Sequence, residues 1–221
     1  MPKSTFFNLA EDKRAPLVEA LLDEFATRGY RHASLDRIAR AGGVSKGSLY
    51  QYFSNKADMY QWLLTEELPR RKMAAMRGTA VASEADLFET LEAWFLAGLQ
   101  LFVREPRLAT LGAALMNPTL EPEIQALHQQ VSGQSHAFLL GMVKEAMASG
   151  EVRPDLDADF VAVLVAKVMG SGLSETVLMR LGVDAAQLAA DPELGRRLGE
   201  QDIEALVHQA AEILRRAVGT P

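Results

Sequence analysis

Residues 34–56, SLDRIARAGGVSKGSLYQYFSNK, place two short amphipathic segments on either side of a Gly-Gly turn, and their reading decides the fold. Ser34 is a side-chain cap for a first helix in which Leu35, Ile38 and Ala39 share one face at i, i+3, i+4 spacing. Gly42 and Gly43 stop that helix, because glycine accepts the left-handed backbone of a helix C-terminus, and Val44 turns an apolar side chain inwards. Ser45 caps a second helix that buries Leu49 and Phe53 and leaves Lys46, Gly47, Ser48, Tyr50, Gln51 and Tyr52 on the remaining surface.

That surface is unlike an ordinary solvated face, which favours Glu, Lys and Gln. No acid occurs from Arg37 to Asn55, and a glycine, a serine and two tyrosines stand where long charged side chains would be expected. Small residues permit close approach to a duplex, while the hydroxyls of Ser45, Tyr50 and Tyr52 and the amides of a helix N-terminus can donate to phosphate oxygens. Lys46 and Gln51 suit base edges, since Gln bonds adenine in a bidentate way and Lys reaches guanine acceptors. Ser48 belongs with them as a reader; the alternative for all three is solvation or a water-mediated contact. Lys56, opening the next helix, adds a phosphate contact, and Ser34 and Arg37 complete the candidate set. Arg37 and Arg40, three apart, equally suit a solvated pair.

The stretch resembles the helix-turn-helix of the TetR (tetracycline repressor) family of bacterial regulators, whose pattern runs I-A-x-x-A-G-V-S-x-G-x-L-Y-x-[HY]-F-x-x-K. The matching residues are Ile38, Ala39, Gly43, Val44, Ser45, Gly47, Leu49, Tyr50, Tyr52, Phe53 and Lys56, at unbroken spacing. One position departs: the pattern's alanine before the turn glycine is Gly42, which removes a methyl from the helix contact and is expected to loosen the turn. Upstream, Arg14, Leu17, Leu21, Phe25, Gly29 and Tyr30 match the family's first helix. The resemblance implies an all-α chain: an N-terminal three-helix helix-turn-helix DNA-binding domain at 1–57, and a C-terminal helical effector-binding and dimerisation domain at 58–221. Without it, the segment reads as a small helical hairpin in some other all-helical protein.

Composition agrees with helix: Ala and Leu dominate and strand-like alternation is scarce across the 221 residues. The absence of cysteine excludes a disulfide framework, a thiolate metal site and a cysteine nucleophile, and fits a reducing compartment. The amino terminus, MPKSTFFNLAEDKR, lacks the apolar core of a signal peptide, and the apolar run from Phe160 to Met169 is short and interrupted by Lys167. No membrane segment is expected, and the location expected is the bacterial cytoplasm, at the nucleoid. Net charge is −6, yet residues 1–57 carry nine Lys/Arg against six Asp/Glu, or +3, which leaves −9 for the rest. This asymmetry directs one end of the molecule towards DNA.

Along the chain, Asn8 and Glu11 suggest a capping box for the first helix, with Pro16 forcing either a later start near Lys13 or a kink. Gly29 ends that helix. One long helix is expected from Asn55 to about Arg77, free of Pro and Gly until Pro69, with no flexible linker between head and body. Further helices are predicted at about Glu84–Val103 (opened by Ser83), Pro106–Leu115, Pro122–Ser149 (closed by Gly150), Ala158–Leu181 (capped by Asp157) and Gln201–Val218. Asp191-Pro192 reads as a cap with proline at the first helical position.

The Ala158–Leu181 segment is apolar nearly all round, so it must be covered on two sides. A homodimer contact is read from Val161, Leu164, Val165, Val168, Met169 and Gly172, completed by Ile203, Val207, Ala210 and Leu214 of the last helix; the alternative is a central helix of a monomer. The last two long helices dimerise in TetR-like proteins. Trp62, Trp94, Phe95, Phe102, Met116, His128, His136 and Phe138 are candidates for lining an effector pocket for an apolar or aromatic small molecule, the region where the family holds its effector; each is otherwise core. His128 and His136, two turns apart, do not make the repeated Glu-x-x-His pairs of a metal bundle, so no metal or cofactor is expected. No nucleophile motif or phosphate-binding loop occurs. The expected activity is that of a sequence-specific, ligand-responsive repressor acting as a homodimer on a palindromic operator; the alternatives are an activator, an enzyme or metal-binding bundle with a helical body, and a ligand-independent DNA-organising protein.

Overall fold

The computed structural model describes residues 1–76, 85–114 and 122–221. Among these, every regular element is helical, and the sole β-type pairing is an isolated bridge between Val152 and Gly219. The all-α expectation holds. The chain packs as two compact units, Met1–Arg71 with Glu105–Val131, and Lys72–Arg104 with Ser132–Pro221.

The first unit opens with a short helix that the sequence did not announce, α1 (Ser4–Phe7), followed by α2 (Glu11–His32), α3 (Leu35–Ala41), α4 (Lys46–Tyr52) and α5 (Lys56–Trp62). Asn8 does not open α2. It caps the C-terminus of α1, and the Glu11 carboxylate pairs with Arg14 in place of capping. Pro16 lies inside α2 on an exposed position, with the helix already begun at Glu11. Leu17, Leu21 and Phe25 form the buried stripe expected of them, and Gly29 adopts φ 66, beyond which only the turn Tyr30–His32 continues. Around this stripe gather Ile38, Leu49, Phe53, Met59, Tyr60 and Leu63, all within 1% of full burial. From the same unit, α8 (Pro106–Ala114) packs Leu108 and Leu111 inwards and is tied to α2 by Arg107 on Glu19 at 3.1 Å.

The helix expected from Asn55 runs continuously to Met76, but with a five-residue π turn (Leu63–Glu67) between α5 and α6 (Leu68–Met76). Pro69 has no N–H for the Thr65 carbonyl and its ring crowds that group, so the wider turn sits immediately before it.

The second unit begins with α7 (Leu87–Arg104), opened by Asp86 and Glu89 in a reciprocal box: Glu89 N donates to Asp86 at 2.8 Å, and Asp86 N to Glu89 at 3.0 Å. Ser83, expected to cap this helix, lies outside the described residues. The helix α9 (Pro122–Ser149) ends at Gly150, whose φ of 85 confirms the stop. Next come α10 (Ala158–Val165), a π turn (Ala166–Gly172) and α11 (Leu173–Leu181), capped by Asp157, which accepts from Phe160 N. Then follow α12 (Ala185–Ala190), a 3-10 turn (Pro192–Arg197) opened by Asp191, and α13 (Glu200–Val218). Arg215 of α13 grips Asp86 with two bonds, 2.6 and 3.0 Å, closing α13 onto α7.

The dimer reading needs a correction of face. Val161, Val165, Met169, Ile203, Val207, Ala210 and Leu214 are buried in the second unit's own core, and Leu164, Val168 and Gly172 are half-buried. On the outside of the same helices stand Phe160, Val163, Lys167, Ser171 and Ile213. The 24 residues Ala158–Leu181 are also long and apolar enough to cross a membrane by length and composition alone, an 18-residue window within them having mean hydropathy 1.5. Val161, Ala162, Val165, Met169, Leu173 and Val177 of this stretch pack into the core of the unit, while Phe160, Val163 and Met179 remain exposed.

Candidate nucleic-acid interface

The turn between α3 and α4 is built by two glycines with different tasks. Gly43 adopts φ 67, the left-handed backbone that an L side chain resists. Gly42 has an ordinary φ of −80, but a Cβ there would lie 3.0 Å from both Leu17 Cα and Leu17 Cδ1, and 3.1 Å from Ile38 O. Glycine at 42 therefore brings the end of α3 unusually close to α2, in place of the looser turn expected from a missing methyl.

Ser45 caps α4 by accepting from Ser48 N at 3.0 Å, and its hydroxyl also meets the Ser48 hydroxyl at 2.8 Å. Leu49 and Phe53 are fully buried, which fixes the rotation of α4 and turns Lys46, Gly47, Tyr50 and Gln51 to solvent, with Ser48 and Tyr52 half-buried. The helix interior gives no reason for Gly47: a Cβ there would meet only Ser45 Oγ, at an unstrained 3.7 Å. Glycine at this position, the second residue of α4, leaves that part of the outer face without a side chain.

The cations divide by what holds them. Lys46 donates to Asp36 at 2.9 Å on the exposed surface, and that carboxylate raises the Lys46 pKa. Lys56 lies 4.6 Å above the Tyr30 ring centre and donates to Arg31 O at 3.3 Å. Its helix start is set by Asn55, which accepts from Asp58 N at 2.8 Å, while Asp58 accepts from Ser54 N at 3.0 Å. Arg37 is bound inward. It donates to the buried Glu24 carboxylate from Nε, at 2.9 and 3.0 Å, and from Nη2 at 2.5 Å, and from Nη2 to His32 O at 2.9 Å. Burial pushes the Glu24 pKa up, but the Arg37 bonds and the Ser34 amide at 2.8 Å outweigh it and hold the carboxyl below its usual range. Arg37 is a strut between α2 and α3, and Ser34 is both cap and anchor for the same carboxylate. Glu24 and Asp36 went unremarked in the sequence because their partners lie ten to thirteen residues away.

The effector candidates divide between the units. Trp62 is buried against Phe6 and Phe53, with ring centres at 4.9 and 5.9 Å, and also borders a 520 Å³ cleft shared with Arg14, Glu19, Glu67 and Arg71. His128 is buried and stacks on Tyr60 at 6.3 Å in the same unit. In the second unit Trp94, Phe95 and Phe102 are half-buried, Phe138 is exposed and stacks on Trp94 at 5.7 Å, and His136 bonds Asp159 at 3.0 Å. Met116 lies outside the described residues.

Comparison with known proteins places this geometry. The sequence profile for "Bacterial regulatory proteins, tetR family" matches residues 17–62, the span from α2 to α5. A TetR family transcriptional regulator from Chloroflexus aurantiacus, known from its crystal structure, is 34% identical, with TM-score 0.79 and 100% of both chains covered. The probable acrEF/envCD operon repressor of Escherichia coli K12 is 26% identical over 207 residues, which is 90% of this chain and 93% of that protein. The regulator FadR of Bacillus subtilis, solved with stearoyl-CoA, shares the fold at 19% identity and TM-score 0.67, over 90% of this chain and 96% of that one. With α4 presenting an acid-free polar face, and a full-length relative at this level of identity, the chain belongs to the TetR family of bacterial regulatory proteins and is a DNA-binding transcriptional regulator, not an enzyme.

Proposed function

We propose that this regulator is a homodimeric, effector-responsive repressor that places α4 of each subunit into successive major grooves of a palindromic operator. The observation that carries the reading is the outer face of α4, where Lys46, Gly47, Tyr50 and Gln51 are exposed and the glycine has no internal reason. Gln51 and Lys46 read base edges, Ser45, Tyr50, Tyr52 and Lys56 hold phosphates, and Ser48 lines the approach. Lys46 exchanges its bond to Asp36 for one to DNA. Repression is supported by the E. coli relative, a probable operon repressor.

Dimerisation is supported by what the second unit leaves uncovered. Phe160 is 65% and Ile213 57% exposed, with Val163 beside Phe160 on the same helix, at positions whose neighbours are core. Large apolar side chains exposed on two long helices mark a surface that another copy covers. Two-fold symmetry then sets half-sites about one helical turn, roughly 34 Å, apart.

The effector is an apolar or aromatic small molecule, received by the body among side chains such as Trp94, Phe95 and Phe102; the fold's capacity for such a ligand is illustrated by FadR with stearoyl-CoA. To loosen operator binding a hundredfold it must prefer the non-binding conformation by about 2.7 kcal/mol. The helix from Lys56 to Met76 carries the change, and its π turn is the hinge. No cofactor takes part, and the protein works in the cytoplasm, where its DNA is.

Sedimentation equilibrium of the wild-type chain beside Phe160→Glu with Ile213→Arg tests the dimer together with its operator complex. A wild-type dimer, and a variant that is monomeric, folded and at least a hundredfold weaker on operator DNA, are expected. A variant that remains a dimer would refute this face.

A further inference from the structure

The recognition helix α4 has only seven residues, and its C-terminus lacks the usual means of closure. Phe53 N donates to Leu49 O at 2.8 Å, but Phe53 itself is extended, at φ −131 and ψ 151, so no left-handed cap returns amides to the final turn. The carbonyls of Tyr50, Gln51 and Tyr52 are thereby left without intrahelical donors.

All three find donors on the N-terminal arm, more than forty residues away. Lys3 Nζ donates to Tyr50 O at 2.7 Å, Thr5 Oγ1 to Gln51 O at 2.5 Å, and Lys3 N to Tyr52 O at 2.8 Å. The ammonium of Lys3 also stands at the negative end of the helix dipole. Phe6 anchors the arm: it is 1% exposed, with its ring centre 5.0 Å from Phe53, 4.9 Å from Trp62 and 6.3 Å from Tyr52.

We propose that Lys3, Thr5 and Phe6 are positioning residues for DNA recognition: together they clasp the C-terminal end of α4 and fix the orientation of Tyr50, Gln51 and Tyr52. The proposal rests on the reading of α4 as the helix that meets DNA, and it adds the arm as the element that holds that helix still. An ordered reader binds without the entropy cost of being ordered by its target, so the clasp favours the operator over other sequences.

Hydrogen exchange on the free full-length chain tests the clasp without DNA. Lys3→Met with Thr5→Val removes two side-chain donors and leaves Phe6 in place. Amides from Leu49 to Phe53 should exchange on the order of tenfold faster, as for loss of two net-stabilising hydrogen bonds. Exchange in α7 and α13 should not change, and Thr5→Ser alone should keep the wild-type rate. Unchanged exchange in α4 would overturn the proposal.

The same chains are then titrated with the operator selected by the wild type and with a random duplex. The uncharged change Thr5→Val should weaken the operator several-fold, leaving the random duplex and the salt slope as they were. Equal loss on both duplexes would overturn the positioning role and make the arm a phosphate contact. If the wild type selects no operator while the exchange effect persists, the DNA reading of α4 fails and the clasp stands.

Discussion

Replacing Gly42 by alanine, the residue that the family's pattern carries there, sets two opposed effects of similar size against each other. The backbone at Gly42 (φ −80, ψ 2) is open to alanine, and the loss of unfolded-state freedom should stabilise the fold by about 0.4–1 kcal/mol. Against this, the new methyl would lie 3.0 Å from Leu17 Cα and Cδ1 and 3.1 Å from Ile38 O, whereas carbon atoms prefer roughly 3.5–4.0 Å. Two of those three neighbours are backbone atoms, and Leu17 is fully buried, so its side chain has nowhere to turn. Overpacking of this kind costs about 1–3 kcal/mol, and the net expectation is destabilisation by about 1 kcal/mol. Urea unfolding followed by Trp62 fluorescence, in a Trp94→Phe background, reads the first unit alone because the two tryptophans lie in different units. An alanine variant more stable than the parent would refute the close approach of α3 to α2.

Two further changes separate folding from function. Gly47→Ala should leave thermal stability unchanged or raise it by about 0.5–1 kcal/mol, since helix formation is eased and only Ser45 Oγ is met, yet should weaken operator binding at least tenfold, measured by fluorescence anisotropy. Equal affinity would show that the outer face tolerates a methyl and does not approach DNA there. Burial pushes the Tyr60 phenol from 10.0 up to about 12, so its protonated form binds its proton more tightly in the folded chain than in the unfolded one. The contribution is complete below pH 10 and is lost as pH rises towards 12, on the order of a few kcal/mol in all. Alkaline denaturation should therefore steepen in that window, and Tyr60→Phe should remove the dependence; an unchanged profile would contradict it.

How much was legible in the sequence depends on how far apart the deciding residues lie. Caps and stops act within four residues, and Ser34, Ser45, Asp157, Gly43 and Gly150 could be read directly. The buried stripe Leu17, Leu21, Phe25 and the pair Leu49, Phe53 follow from helical periodicity. Periodicity fails where it is satisfied on every side: along Ala158–Leu181 it cannot tell Val161, which faces the unit's own core, from Phe160, which faces outward. Asn8 misled because a short helix precedes it: Asn8 closes α1, and Ala10 stands at the N-cap of α2. Arg37, read as a DNA contact or a solvated cation, is claimed by Glu24 thirteen residues before it, and the end of α4 by Lys3 and Thr5 more than forty before it. Such partners meet only through tertiary packing, which a single sequence does not display. The π turns around Thr65 and Met169 are subtler still, since a helical pattern reads the same whether the turn is ordinary or wide.

The central claim is that α4 reads a symmetric DNA sequence. Selection of bound duplexes from a random library, followed by titration of the winner at several salt concentrations, tests it most directly. An inverted repeat is expected, with affinity falling steeply with salt and preference at one base position relaxed by Gln51→Ala at a cost of about 1–3 kcal/mol. Failure to enrich any sequence at low salt, or a winner whose choice of bases is untouched by Gln51→Ala and Lys46→Ala together, would contradict it.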